Sequence, residues 1–89
     1  MKWRLQATGL FYDAGEGGVV FYDPASGDTH LLSDFSAHLL QQLTTTPTDL
    51  AEVTDRVRPA LAADIDDPAG LVRGVLDELV DLHILKVAG

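Results

Sequence analysis

The stretch that decides the fold is VVFYDPASGDTHLLSDFSAHLLQQL, residues 19–43. It begins with aromatic and β-branched residues, passes through the turn sequence DPASGD, and continues as the short run THLL. Pro24 presets φ for the first turn position and Gly27 suits a left-handed conformation, so the segment predicts a β-hairpin. From Ser33 the apolar period changes from two to 3.6, which predicts a helix that begins directly after the strand and is capped by Ser33 or Asp34.

The residues before this stretch extend the hairpin into a three-stranded antiparallel meander. Residues 10–13 and 19–22 are rich in strand-forming side chains and flank AGEGG, whose glycines permit positive φ in a tight turn. Residues 29–32 form the third predicted strand. Residues 3–6 are a candidate for a further short edge strand.

Two more helices are predicted after the first. The second is capped at Thr48 or Asp49, and Pro59 is expected to kink or end it, because proline lacks the amide donor and clashes with the preceding turn. The third is capped at Asp67 and runs to about His83. The predicted order is therefore βββααα, an α+β fold.

The third predicted helix has a wide apolar face. At ~100° per residue, its apolar side chains cover about half of the circumference, whereas packing on one core requires a stripe of only ~100°. The helix either lies between the sheet and the other helices, or lines a groove with part of this face. In a small domain the core alone can also use the whole stripe. The apolar positions are Leu71, Val72, Val75, Leu76, Leu79, Val80 and Leu82.

Length and composition favour one small globular domain over residues 1–89. The chain is 46% hydrophobic and only 22% charged, which is too apolar for a disordered protein, and it has no cysteine. Its net charge is −8 and its six basic residues are scattered, so we expect no nucleic-acid binding. No apolar run is long enough for a signal peptide or a membrane span, and we expect a cytoplasmic protein without membrane contact.

No catalytic, metal or cofactor motif is found. Ser33, Ser36 and His38 lack a nucleophile elbow or an oxyanion-hole signal. The segment DIDDPAG has proline at a position where a calcium loop needs a ligand, and GEGG precedes a predicted strand, so it is not a dinucleotide fingerprint. We expect a protein that is not an enzyme and needs no cofactor or metal.

The segment SGDTHLLSDFSAHLLQQL, together with a third helix that ends in LVDLHILKV, resembles the PqqD-like family of recognition elements for ribosomally made, modified peptides. The run VVFYDPASGDTHLL is similar to the PqqD-family peptide chaperones found beside a kinase related to HPr kinase. The resemblance extends over about residues 10–87. Two positions depart from the family pattern. Ser33 stands where asparagine is common, and His83 stands where a glycine often ends the last helix.

The resemblance implies a winged-helix-like, non-catalytic peptide chaperone. The leader of a precursor peptide would add as an antiparallel strand to the edge of the third strand, against the third helix, and the module would present the peptide to a modifying enzyme, such as the HPr-kinase-related kinase. Carried over, the strand edge comprises Asp28, Thr29, His30, Leu31 and Leu32. The groove wall comprises Leu71, Val72, Val75, Leu76 and Leu79.

Two other functions were weighed against this one. A winged-helix DNA-binding regulator would use the third helix for recognition, but PAGLVRGVLDELVDL has one arginine against three acidic residues. An enzyme is the weakest alternative, because no catalytic motif supports it. An unpaired strand edge also allows self-pairing, and hence a homodimer.

Overall fold

The computed structural model describes residues 1–6, 9–15 and 18–88. Within these residues the chain forms an α+β fold with two three-stranded antiparallel sheets and three α-helices. The α+β class is as predicted, but the predicted order βββααα is incomplete, since one short strand precedes it, one lies between the first and second helices, and one follows it. The elements in chain order are β1 (Lys2–Leu5), β2 (Leu10–Gly15), β3 (Gly18–Asp23), β4 (Asp28–Ser33), α1 (Asp34–Gln41), β5 (Thr48–Asp49), α2 (Leu50–Val57), a 3-10 turn (Arg58–Ala60), α3 (Pro68–Asp81) and β6 (Leu85–Ala88).

The predicted meander is the sheet β2–β3–β4, with β3 in the centre. β3 and β4 pair without interruption from Gly18–Ser33 to Asp23–Asp28. Gly27 has a φ of 78° in the turn between them, the conformation that was predicted for this glycine. Residues 16 and 17 of the predicted AGEGG turn lie outside the described residues.

The other sheet has the order β5–β1–β6 and joins the two ends of the chain. Lys2 pairs with Ala88 and Leu5 with Leu85, while Trp3 also pairs with Thr48. The edge strand suggested at residues 3–6 is thus β1, the central strand of this sheet. β6 was not predicted, because its partner lies at the other end of the sequence.

Each helix begins at a side-chain cap. Ser33 Oγ accepts a hydrogen bond from the Ser36 amide at 3.1 Å, and Asp67 Oδ1 accepts one from the Gly70 amide at 3.0 Å. Asp49 caps α2 in the same way at 2.9 Å. Pro59 falls in the 3-10 turn, so α2 ends before it. These local predictions are confirmed, since each depends on residues a few positions apart.

One hydrophobic core lies between the two sheets and the helices. α1 packs against β3 and β4, whereas α3 packs mainly against α2 and β6. Of its wide apolar stripe, Val72, Leu76 and Leu79 are buried. The buried apolar residues are Trp3, Phe21, Leu32, Ala37, Leu39, Leu40, Leu43, Val53, Val57, Val72, Leu76, Leu79, Ile84 and Leu85.

Candidate functional site

β4 is an edge strand. It pairs with β3 along all six of its residues, and no other described strand lies on its far side. In an antiparallel pair alternate residues direct both backbone groups toward the partner, so the intervening residues of β4 direct their N–H and C=O groups outward. Such a row of unpaired donors and acceptors is a template for another strand.

The side chains of β4 alternate between two surfaces. Leu32 is buried on the inner face and His30 is half-buried there, whereas Leu31 on the outer face is 73% exposed. Asp28 and Thr29 are exposed at the start of the strand. The five residues predicted for the edge are therefore together on one strand, and a strand added to it would meet a different surface with each successive side chain.

The outer face of the sheet is apolar. Leu31 lies in register with Val20, and Val20 lies in register with Tyr12, so one row crosses all three strands. Tyr12 is 52% exposed and Leu10, on the same strand and face, is 51% exposed. A side chain that continued this row beyond Leu31 would cover apolar surface.

The inner face opens into a cavity of about 330 Å³ at the start of β4. The walls of the cavity come mainly from β4, the β3–β4 turn and the residues that follow α3. They are both polar and apolar, and we call it the polar cavity because they include charged and imidazole side chains. They comprise Gln6, Phe21, Asp23, Ala25, Ser26, Asp28, His30, Leu82, His83 and Ile84.

The β3–β4 turn is held by the side chain of Asp23. One of its carboxylate oxygens accepts a hydrogen bond from the Ala25 amide at 2.9 Å, and the other accepts one from Ser26 Oγ at 3.0 Å. The Gly27 amide donates to the backbone oxygen of Asp23 at 2.8 Å. These three bonds fix one side of the cavity before any ligand binds.

His83 forms the opposite side of the cavity in an unusual backbone conformation. Its φ is 62°, the left-handed region, where a helix normally ends in glycine. The His83 amide donates to Val80 O at 2.9 Å and the Ile84 amide donates to Leu79 O at 3.0 Å, which is the Schellman arrangement. An imidazole at this position costs stability of about 1 kcal/mol relative to glycine. Residues held in such costly backbone conformations cluster at functional sites.

The residues predicted to form the groove wall on α3 differ in burial. Val72, Leu76 and Leu79 are buried in the core and have no surface to offer a ligand in this conformation. Val75 is half-buried and Leu71 is 44% exposed. α1 is the helix that packs on β4, and α3 approaches this edge through the cavity residues that follow its C-terminal end.

The other edge of the sheet, β2, differs from β4. Its register with β3 shifts between Asp13 and Gly15, where β2 contains one residue more than β3. A second cavity of about 280 Å³ lies beneath this edge, with mainly apolar walls from β1, β2 and α1. Phe21 contributes to the walls of both cavities and packs edge-to-face against Phe11, with ring centroids 5.3 Å apart.

Residues that the sequence reasoning missed are those of the polar cavity, namely Asp23, Ser26, Leu82, His83 and Ile84. One signal for them was available, because His83 stands where the resemblance has a glycine. The remainder could not be found from the sequence, since residues 23–28 and 82–84 meet only in the folded chain.

The described part of the chain contains neither a metal-binding cluster nor a membrane-spanning helix. No three His, Asp or Glu side chains there are close enough together to hold a metal ion. No helix among residues 1–6, 9–15 and 18–88 has the length and apolar character to cross a membrane. Comparison with family models, with curated proteins and with solved structures finds no match to this chain.

Proposed function

We propose that this chain is a non-catalytic peptide-binding module that takes up an extended peptide by β-strand addition at β4. The observation that carries the proposal is an uninterrupted, six-residue edge strand with a polar cavity on one face and exposed Leu31 on the other. An added strand would satisfy the outward backbone groups of β4, and its alternating side chains would meet the two surfaces.

The energetics favour a combined use of backbone and side chains. Each backbone hydrogen bond contributes a net ~0.5–1.5 kcal/mol, and micromolar affinity requires ~8 kcal/mol. The few outward groups of β4 fall short of that once the ordering of the peptide is included. Burial of Leu31 and of peptide side chains supplies the difference, at ~25 cal/mol per Å² of apolar area.

We further propose that the bound peptide is the leader of a ribosomally made precursor and that the module presents it to a modifying enzyme, such as an HPr-kinase-related kinase. This part is supported by the resemblance to PqqD-like peptide chaperones. The resemblance implies a meander followed by three helices; the chain has the meander β2–β3–β4 and then α1, α2 and α3, with the short strand β5 between α1 and α2. Of the groove wall expected on α3, only Leu71 and Val75 retain exposed surface, and we propose that they contribute to the groove together with the residues after α3.

The test begins with a displayed library of random peptides, selected against the purified chain. The tightest peptide is then resynthesised with one backbone N-methyl group at a time. Strand addition predicts that affinity falls at every second methylated position, because alternate peptide amides donate to β4. A selection without binders, or loss of affinity without this period of two, would contradict the proposal.

The DNA-binding alternative predicts a different result. Arg73 on α3 lies 3.9 Å from Asp77, and Glu78 and Asp81 on the same helix are exposed acidic side chains. A recognition helix with this charge repels phosphate, so we expect no retardation of duplex DNA in a gel at physiological salt. Submicromolar retention would favour the regulator instead.

A further inference from the structure

The net negative charge of the chain comes from one part of the sequence. Residues 5–55 contain eight acidic and no basic side chains, whereas the rest of the chain contains six of each, so this part carries the whole net charge of −8. It includes the entire sheet β2–β3–β4. The arginines after this part form ion pairs with nearby acids, as Arg56 does with Glu52 at 2.7 Å. The sheet that contains the β4 edge therefore has acidic side chains and no lysine or arginine.

A strand added to β4 would extend two existing rows of side chains. On the outer face the row Tyr12–Val20–Leu31 is apolar. On the inner face the neighbouring row runs through Phe21 to His30, at the wall of the polar cavity. Because side chains alternate along a strand, a peptide residue beside Leu31 and its neighbour in sequence would meet opposite chemistries.

We propose that the peptide bound at β4 places an apolar side chain beside Leu31 and, at an adjacent position, a Lys or Arg side chain in the cavity. This inference rests on the proposed function and specifies its ligand. The Asp28 carboxylate accepts no hydrogen bond and forms no ion pair among the described residues, so it is available to a cation. The carboxylate of Asp23 is already engaged in the turn.

The remaining walls of the cavity suit a long basic side chain. Phe21, Leu82 and Ile84 provide apolar surface for its methylene groups, which basic residues bury readily. The imidazoles of His30 and His83 offer ring nitrogens that accept hydrogen bonds when neutral. Docking of the peptide also removes solvent from Asp28, which strengthens the attraction between the carboxylate and the cation.

The sequences of the selected library peptides test this inference separately from the function. We expect Lys or Arg to be enriched at one position, with an apolar residue enriched next to it. Peptides that bind at β4 without a basic position would overturn this inference and leave the proposed function intact. Basic residues enriched equally at all positions would indicate general attraction to an acidic protein and would also overturn it. A selection that yields no binder would overturn both this inference and the proposed function.

Two variants with the same net charge locate the interaction. Asp28→Asn is expected to weaken binding of the selected peptide roughly fivefold, since one charged contact becomes neutral. Asp64→Asn removes a charge from an exposed position in the α2–α3 connection and is expected to leave affinity unchanged. Replacement of the basic peptide residue by norleucine should abolish the difference between Asp28→Asn and the unaltered protein. Equal effects of the two variants, or a persisting difference with norleucine, would contradict the assignment.

Discussion

The two edges of the sheet β2–β3–β4 belong to one structure and have different chemistry. β4 pairs with β3 in unbroken register and adjoins a cavity with charged and imidazole side chains. β2 contains an extra residue at its end and adjoins a mainly apolar cavity. Bulges are one way in which proteins protect an edge strand from pairing with another chain. We therefore expect β4, rather than β2, to be the edge that accepts a partner strand.

Phe21 joins the two regions, and its removal should have a large effect on the stability of the fold. It is buried on the central strand and contributes to both cavities. Phe21→Ala is expected to lower the free energy of unfolding by ~3–5 kcal/mol, because it deletes apolar contacts and merges the cavities. Urea denaturation measures this change, with fluorescence of the buried Trp3 as the signal. A loss below ~1 kcal/mol would mean that the two cavities are not separated by packing at this residue.

Proline substitutions at equivalent positions of the two edge strands should differ in their effect on peptide affinity. Leu31 and Tyr12 lie in the same cross-strand row, one on each edge. Leu31→Pro is expected to reduce peptide affinity about a hundredfold or more, because it disrupts the backbone of β4 and removes an apolar contact. Tyr12→Pro should change affinity less than about threefold.

Thermal melts must accompany both proline variants, since proline in a strand also lowers stability. If Leu31→Pro does not fold, Leu31→Asp preserves the backbone and still removes the apolar contact. Equal losses of affinity on the two edges, in variants with cooperative melts, would show that β4 has no special role.

Aspartate substitutions at two adjacent positions of α3 give a similar comparison within one helix. Leu76 is fully buried and Val75 is half-buried, so Leu76→Asp should unfold the protein, at a cost of ~4 kcal/mol or more. Val75→Asp should leave a cooperative melt and reduce binding if Val75 belongs to the groove wall. Circular dichroism and a peptide titration on both variants distinguish the two roles. Unfolding by both substitutions would assign Val75 to the core.

Replacement of His83 by glycine should have the smallest effect. It should raise the stability of the fold and lower peptide affinity. His83→Gly relieves the left-handed backbone and is expected to stabilise the fold by ~0.5–1 kcal/mol, or a rise in Tm of roughly 2–8 °C. The same change removes an imidazole from the cavity and should weaken binding about two- to fivefold. Calorimetry and titration measure the two quantities. A fall in Tm would show that the left-handed backbone at His83 is not strained. Unchanged peptide affinity would exclude His83 from the binding site.

The sequence predicted what depends on near neighbours. The caps Ser33, Asp49 and Asp67 each bond an amide three residues on, so local pattern located each helix start, although Ser33 and Asp49 were each one of two candidates. The β3–β4 hairpin was predicted for the same reason, from a turn whose bonds join Asp23 to the next four residues.

The sequence could not predict what distant segments build together. β1 and β6 pair across nearly the whole chain, and the polar cavity combines Asp28 with His83. The wide stripe of α3 was ambiguous for a related reason. Apolar spacing shows which side of a helix avoids water, but the partner, here α2 and β6, is decided by the whole fold.

Amide hydrogen exchange with a selected peptide tests the central claim most directly, because it compares both edges in one experiment. We expect alternate amides of β4 (Asp28–Ser33) to exchange slowly only when the peptide is bound, and amides of β2 (Leu10–Gly15) to show no change. Protection of β2 instead of β4 would contradict the claim. So would protection of β4 without peptide, because the edge would then be paired with a second copy of the chain.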